Sequence, residues 1–585
     1  MRYFILATLF TVSACTGVAS PPSTSPTNYD PEAATGFTQK TGVHAHKYMV
    51  SAATPAAAQA GADILARGGS AADAAVAVQA MLTLTEPQSS GIGGGGFILY
   101  WDAAKQQLYT IDARETAPQA ATADLFLDEV GNPPTSFMNA VTGGRSVGTP
   151  GALRGLELVQ QRWGRLPWSM LFESTIAKAE EGFVVSPRLQ QLLEIEMSPG
   201  LLQLSPAKEY FYPNGIPLQA GTVKKNPELA QTLKAIAQGG ADAFYHGELA
   251  EAIAQSVQQS ALNPGRLQAS DLAQYQAIIR EPVCIEYRVY NICGMPPPSS
   301  GGLTILQMLG ILEHFPMAEL EINSAQAIHY FTQASRLAFA DRNRYIGDPA
   351  FTDVPVTEML DKAYLASRAA LITDQDMGTA TPGKFVAYAY ADDQALELPS
   401  TTHFSIVDST GNILAMTSSI EMGFGSAVMV GGFLLNNQLT DFSLVPEVDG
   451  VPVANRVEPG KRPRSSMAPV IVFNEQGEPI HALGSPGGAR IINYVAQTLI
   501  GLLDWELDMQ AAIDLPHVTN LNGATALEQG TTIEDLADAL KQRGHTVNIQ
   551  DLNSGLHGIS LLPDGKLFGG ADPRREGHVV GDQNH

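Results

Sequence analysis

Apolar residues along this chain follow two patterns, and the change comes near residue 400. Before it, small apolar residues recur at spacings of three and four, the period of a helix with one buried face. Pro55 to Arg67 and Ser70 to Leu84 are Ala-rich runs of this kind, divided by Gly68-Gly69. Ser70, with Asp73 three residues on, is a helix-start signature. Trp168 to Gly182, Asn226 to Gln238, Ala241 to Leu262, Thr304 to Phe315 and the longer Ser324 to Arg344 repeat the period. Gly96 to Trp101 and Gln107 to Asp112 predict a strand pair within this half. After Thr401 the period shortens to two. Thr401 to Asp408, the turn Ser409-Thr410-Gly411-Asn412 and Ile413 to Ser419 predict a β-hairpin. Val428 to Asn436, Pro469 to Asn474 and Ile480 to Gly484 predict further strands, and Ile491 to Leu503 a helix. A Pro-containing loop spans Ser443 to Arg464. Residues 372–400 have no periodicity and predict a linker or exposed loop leading straight to Thr401.

Three glycine-rich stretches invite chemistry. Gly91 to Gly96 matches G-x-G-x-x-G, but a dinucleotide site follows a strand and opens a helix. Here a helix precedes and a strand follows, which predicts a closely packed backbone turn instead. Gly144-Arg145-Ser146-Val147-Gly148 matches G-x-S-x-G, whose elbow needs a strand before it and a helix directly after. Asn139 to Thr142 is a poor strand and Pro150 stands where that helix would run, so Ser146 serves only as the nucleophile of a rival reading. Gly484-Ser485-Pro486-Gly487-Gly488 precedes a helix; its bare backbone N–H groups suit an oxyanion or simply cap the helix.

With 585 residues, 44% of them hydrophobic, the chain can bury a large core. Its net charge of −24 disfavours nucleic acid or an anionic membrane surface as partner. Arg2, the apolar run Tyr3 to Phe10 and Val12-Ser13-Ala14-Cys15 read as a secretory signal over residues 1–14. Either Cys15 becomes the lipidated first residue of a bacterial lipoprotein, or the signal is ordinary and the Cys incidental. Residues 15–45, rich in Ser, Thr and Pro from Ser20 to Pro31, read as a tether. Export follows, to the periplasm or to an outer-membrane lipid anchor. Cys284 and Cys293 lie on one hairpin or one long strand, as a disulfide or as two buried thiols. They form no zinc pattern, and His44-Ala45-His46 alone makes no metal site.

Four motifs occur in order in the second half: Thr401-Thr402-His403-Phe404-Ser405, Leu434-Leu435-Asn436-Asn437-Gln438, Lys461 to Met467, and Gly484 to Gly488. The first half carries Gly69 to Ala77, the Gly-rich turn at 93–96, Arg114-Glu115 and Met295 to Gly302. Together they resemble the γ-glutamyltranspeptidase family of N-terminal-nucleophile hydrolases, from about residue 45 to Arg574. The resemblance implies a four-layer αββα sandwich, with two stacked, mainly antiparallel sheets flanked by helices. It implies a cut at Ser400–Thr401, giving a large subunit over 46–400 and a small one over 401–585. Thr401 would then attack γ-glutamyl amides, its new α-amine serving as base at an ordinary pKa of about 8.

By the same resemblance, Gly487 and Gly488 bind the oxyanion and Ser419 and Thr402 orient the nucleophile. Arg114, Ser465 and Ser466 hold the α-carboxylate; Gln438, Asp441 and Glu421 hold the α-ammonium. Relatives commonly carry Thr at the position of Ser419, Asn at that of Glu421 and Asp at that of Thr440, and a longer loop between Asp441 and Ser465. The implied substrates are glutathione or other γ-glutamyl compounds, with water, an amino acid or a dipeptide as acceptor and no metal or organic cofactor. Three rivals remain: a glutaryl or cephalosporin-type acylase on the same scaffold, a serine hydrolase using Ser146, and a non-enzymatic binding lipoprotein.

Overall fold

The hairpin that opens at Thr402 and the strand pair from Gly95 to Ala113 are parts of one sheet. The computed structural model describes residues 37–385 and 387–582; the signal over 1–14, Cys15 and the tether up to residue 36 lie outside them. From edge to edge this sheet runs His578–Gly581, Met49–Ala52, Thr402–Val407, Ile413–Ser419, Gly95–Asp102, Gln107–Ala113 and Ile278–Arg280, all neighbours antiparallel. A second antiparallel sheet runs Val43–Ala45, Leu567–Ala571, His557–Leu561, Pro479–Gly484, Val470–Phe473, Tyr290–Gly294 and Val283–Tyr287. Each sheet interleaves strands from both sides of residue 400. The chain ahead of Thr401 and the chain after it therefore share both sheets.

Alternation along the strands divides the burial. Ile98, Tyr100, Phe404, Ile406, Leu414 and Met416 pack outward on a core shared with the helices Pro55–Ala66, Ala71–Thr85 and Ala152–Trp163. Phe97, Leu99, Trp101, Val407, Ile413 and Ala415 belong to a second core. That core is shared with the other sheet and the helices Gly301–Leu312, Ala325–Tyr345 and Ile491–Leu503. The sheets stack directly: the Trp101 and Phe473 rings lie 5.1 Å apart, and the His403 ring crosses Gly484, where a Cβ would come within 2.4 Å of it. The result is the four-layer αββα sandwich.

Ser70 caps Ala71–Thr85 through a reciprocal pair with Asp73, as its spacing predicts. Other elements differ from their predicted outlines. Ala241 to Leu262 is two helices, Asp242–Tyr245 and Gly247–Gln258, parted where Gly247 turns left-handed at φ +69°. Val428 to Asn436 is two short strands, Met429–Val430 and Phe433–Leu434, because Gly431 and Gly432 both take positive φ. The helix expected from Thr304 already starts at Gly301. The described residues of 372–400 form no helix or regular strand, but they are not an exposed loop throughout. The Glu397 side chain is 3% exposed and Ser400 1%, because buried arginines hold the carboxylate. Cys284 and Cys293 face each other on the hairpin Val283–Tyr287/Tyr290–Gly294 and form a disulfide.

The glycine turn at 91–96 is packed on backbone. A Cβ on Gly93 would lie 2.1 Å from the Leu434 carbonyl oxygen, and one on Gly94 2.0 Å from that of Ser419. Ser146 is buried in a 3₁₀ turn, and its hydroxyl donates to the Val141 carbonyl at 2.5 Å; no elbow forms. The His44 ring lies 4.6 Å from that of Phe568, tilted by 46°, and the described residues include no group of three or more His, Cys, Asp or Glu able to hold a metal. Gly94→Ala should therefore cost about 1–3 kcal/mol or more through overpacking. Gly523→Ala, where a Cβ meets nothing within 4 Å, should be neutral. Thermal melting of the two variants checks this; equal midpoints would contradict the packing described.

Candidate active site

The hairpin register builds the centre of the site. Thr402 pairs with Ser418 across the two strands, so Thr401 falls beside Ser419. Their hydroxyl oxygens lie 3.0 Å apart. Ser419 Oγ also accepts the Glu421 backbone N–H at 2.8 Å and lies 3.5 Å from the Glu421 carbonyl, which fixes it in place beside Thr401. Thr401 is 4% exposed and sits at φ +100°, a region β-branched residues avoid because of steric strain. An Arg575 N–H donates to its carbonyl at 3.4 Å. Thr402 points to the opposite face of the strand, and its buried hydroxyl has no hydrogen-bond partner. The expected orienting contact from Thr402 is therefore not made. His403 bonds Thr417 Oγ1 at 2.8 Å, and burial, then His557, push it well below the usual imidazole range.

Thr401, Ser419, Glu421, Gln438, Asp441, Ser465, Ser466 and Gly488 line one cavity, with Glu397 joining them. Sequence motifs widely separated in the chain thus meet. On one side stands an acidic corner. Gln438 Nε2 donates to Asp441 at 3.1 Å and to Glu421 at 3.2 Å, and the two carboxyls lie within hydrogen-bonding reach of each other. Burial, then the Asp441 charge, push the Glu421 carboxyl well above the ordinary range. Asp441 is also raised by burial, against the pull of Arg114. Arg114 stands behind this corner, fully buried. It donates to the carbonyls of Pro463 at 3.1 Å and Arg464 at 2.6 Å and pairs with Asp441. It reaches the cavity through Asp441 and is not part of the cavity wall.

Opposite is a cationic corner. Ser466 Oγ accepts from Arg342 at 2.7 Å and donates to Glu397, while Arg464 Nε donates to Glu397 at 3.1 Å. Burial would raise the Glu397 carboxyl, but Arg342 and Arg464 hold it down to about 2. Ser465 Oγ accepts the Met467 N–H at 3.1 Å, which turns the chain so that Ser466 faces inward. Gly487 and Gly488 close the third side at φ +135° and +57°. A Cβ on Gly488 would lie 2.5 Å from the Glu397 carbonyl, so only glycine lets the backbone come this close.

The sequence reading missed Glu397, Arg342, Arg464, Arg575 and Glu115. Arg464 lay within a quoted motif and Glu397 four residues from Thr401, and both could have been weighed. Arg342 ends a long helix, where a cation usually serves the helix dipole, and carried no signal. The site offers a nucleophilic hydroxyl, a glycine turn, and corners for an ammonium and for a carboxylate. That combination suits a zwitterionic acyl group.

The profile of the family described as gamma-glutamyltranspeptidase matches residues 57–582. The glutathione hydrolase proenzyme of Bacillus subtilis (strain 168) is 38% identical over 548 residues, covering 91% of each chain. That of Escherichia coli (strain K12) is 37% identical over 590 residues, covering 98% of this chain and 97% of its own. The crystal structure of cephalosporin acylase from Bacillus halodurans superposes with a TM-score of 0.82 at 29% identity, covering 95% of this chain and all of that one.

Glu115 gives the site a pH signature. Burial raises its carboxyl, against the pull of Arg114, from an ordinary 4.5 to about 8. The unfolded chain then loses this proton near 4.5 and the folded chain near 8. Its contribution to stability is intact below about 4.5 and is lost as pH rises to about 8, at about 1.4 kcal/mol per pH unit. Glu115→Gln should melt like the parent at pH 5 and above it at pH 8. A gap that does not widen between those pH values would rule this out.

Proposed function

The chain belongs to the γ-glutamyltranspeptidase family, and from that premise we propose that it cuts itself at Ser400–Thr401 and then hydrolyses or transfers γ-glutamyl groups through an ester on Thr401. The observation that carries this reading is the strained Thr401, its hydroxyl 3.0 Å from Ser419 and set between an acidic and a cationic corner.

In the first reaction Thr401 Oγ1 attacks the Ser400 carbonyl carbon. The hydroxyl proton passes to the departing backbone nitrogen, leaving an ester between Ser400 and Thr401. Water cleaves the ester, which frees the Ser400 carboxylate and the Thr401 hydroxyl and amine. Ser419 orients the hydroxyl in both the uncut and the cut chain. Subunits over 46–400 and 401–585 stay joined, because Thr402–Val407 remains paired with Met49–Ala52 on one side and Ile413–Ser419 on the other.

In the second reaction the Thr401 amine takes the hydroxyl proton as Oγ1 attacks the γ-carbonyl carbon. Its ordinary pKa of about 8 suits work near neutral pH. The Gly487 and Gly488 N–H groups face the developing oxyanion. Glu421, Asp441 and Gln438 receive the α-ammonium, and Ser465 and Ser466 lie on the side of the α-carboxylate. The leaving amine takes the proton, and water or an amino group of an amino acid or dipeptide then opens the ester. Glutathione is the donor class that the names of the two proenzymes above suggest.

A glutaryl or cephalosporin-type acyl group has no ammonium to occupy the acidic corner. Two buried carboxyls side by side, which a cation would relieve, weigh against that alternative despite the acylase-like fold. No helix among the described residues is long and apolar enough to cross a membrane. Export under the 1–14 signal, with Cys15 as a lipid anchor in the periplasm, rests on the sequence pattern and is part of the proposal.

Purified protein should run as two fragments, the smaller beginning at Thr401 by N-terminal sequencing. Thr401→Ala should stay one inactive chain, and Thr401→Ser should still cut. Active material that remains a single polypeptide would end this reading. The wild type should also favour a γ-glutamyl anilide over a glutaryl anilide in kcat/KM. Glu421→Gln should narrow that preference roughly ten- to hundredfold, the worth of one charge-assisted hydrogen bond. Equal rates on both anilides would favour the acylase.

A further inference from the structure

We propose that the turn at 86–90, pinned by Arg188, holds the chain in place for its own cut, and that the Ser400 hydroxyl is the positioning group through which it does so. The inference rests on the self-cutting proposed above and adds to it a contact that serves that step alone.

Three observations lead here. First, the residue ahead of the scissile bond is tied down by its side chain. Ser400 Oγ donates to the Gln88 carbonyl at 2.9 Å, and both residues are 1% exposed. Second, the same turn grips the chain beyond Ser419. The Gln88 carbonyl also accepts the Phe424 N–H at 3.0 Å, and the Ser89 carbonyl accepts that of Ile420 at 3.2 Å. The contact between Thr401 and Ser419 therefore lies between two segments fastened to one turn. Third, the turn is itself fixed. The Ser89 N–H donates to the Glu86 carbonyl at 3.0 Å. Arg188, from the helix Pro187–Glu194, donates to Glu86 Oε1 at 2.6 Å and to Ser89 Oγ at 3.1 Å. The Arg188 and Glu86 side chains are 1% and 2% exposed. A buried pair of this kind says little about stability, but its charge-assisted bonds fix geometry.

Attack on the Ser400 carbonyl carbon needs Thr401 Oγ1 close to it and the carbonyl turned to receive it. Thr401 is set by Ser419 and by the strand that starts at Thr402. Ser400 precedes that strand, so the bond to Gln88 restrains its side of the peptide. After the cut Ser400 is a chain end, and its side chain no longer bears on the γ-glutamyl reaction.

The test follows loss of the full-length chain with time after cell-free synthesis at fixed pH. Ser400→Ala should cut about three- to tenfold more slowly than wild type, the worth of one neutral hydrogen bond. Once fully cut, it should match wild type in kcat and KM for a γ-glutamyl anilide within about twofold. The paired change Glu86→Gln with Arg188→Met removes both charges together, so neither is left buried alone. It should also slow the cut, and adding Ser400→Ala to it should slow the cut by less than about twofold more, because both act through one contact.

The inference is overturned if Ser400→Ala cuts at the wild-type rate, or if its effect multiplies in full with that of the paired change. It is equally overturned if fully cut Ser400→Ala differs from wild type in kcat, since the contact would then serve more than the cut. A paired variant that does not fold leaves the Ser400→Ala rates to decide. Wild type that never cuts would instead refute the proposed reaction.

Discussion

Antiparallel pairing between Thr402–Val407 and Ile413–Ser419 governs what the site can be. Side chains alternate along a strand, so a slip of one residue would turn His403 and Ser405 away from the second sheet and part Thr401 from Ser419. The register is held from several directions. Thr402–Val407 lies inside its sheet, with Met49–Ala52 on its far side, and cannot slide as an edge strand can. The Ser419 end is clamped by Gly94, whose missing side chain lets the two backbones nearly touch. Gly93 does the same against Leu434, which leads directly into the Asn436 to Asp441 turn carrying the acidic corner. Two neighbouring glycines therefore set the distance between the nucleophile and one of the two charge-binding walls.

That geometry makes the buried charges intelligible. A buried ion pair is weak evidence for stability, because desolvating both partners costs about what their attraction returns. Here the pairs lie on opposite sides of a cavity and divide by sign. Arg114 is matched to Asp441, and burial and the Asp441 charge raise the Glu421 carboxyl beside them well above its ordinary range. Arg342 and Arg464 are matched to Asp393 and Glu397. Each wall is close to neutral by itself. An arriving ammonium would offset the burial that raises the Glu421 carboxyl. Preorganised walls of this kind need little rearrangement when a zwitterion enters.

Much of this was legible in the sequence wherever a local rule agreed with the tertiary one. The capping box at Ser70, the hairpin around Gly411-Asn412 and the helix from Ile491 follow from period and punctuation alone. Of the residues carried by the family resemblance, Thr401, Ser419, Glu421, Gln438, Asp441, Ser465, Ser466 and Gly488 line one cavity, while Arg114 stands behind its wall and Thr402 on the other face of the strand. Failures came where tertiary contact overrode local pattern. Val428 to Asn436 reads as one strand until Gly431 and Gly432 are seen to reverse it. Glu397 sits in an aperiodic stretch, and no periodicity can show that two arginines far apart in the chain will bury it. Arg342 has the look of an ordinary helix end. Cys284 and Cys293 needed the register of their hairpin before a disulfide could be told from two thiols.

The backbone at Thr401 ties fold to self-cutting. A φ of +100° has meaning only while Ser400 is attached, because the angle is defined through its carbonyl carbon. Strain of this sort, about 1–3 kcal/mol, would exist in the uncut chain and vanish on cleavage. If fully released at the transition state it would speed the cut by roughly 5- to 160-fold, far short of what breaking an amide needs. The remainder must come from position: the Ser419 hydroxyl against Thr401, the fixed Ser400 side chain, and a site from which water is largely excluded. In the proposed reactions the Ser419 hydroxyl, 3.0 Å from Thr401 in the uncut chain, serves both steps, so the apparatus that frees the amine is most of the apparatus that uses it. What the cut adds is the base itself.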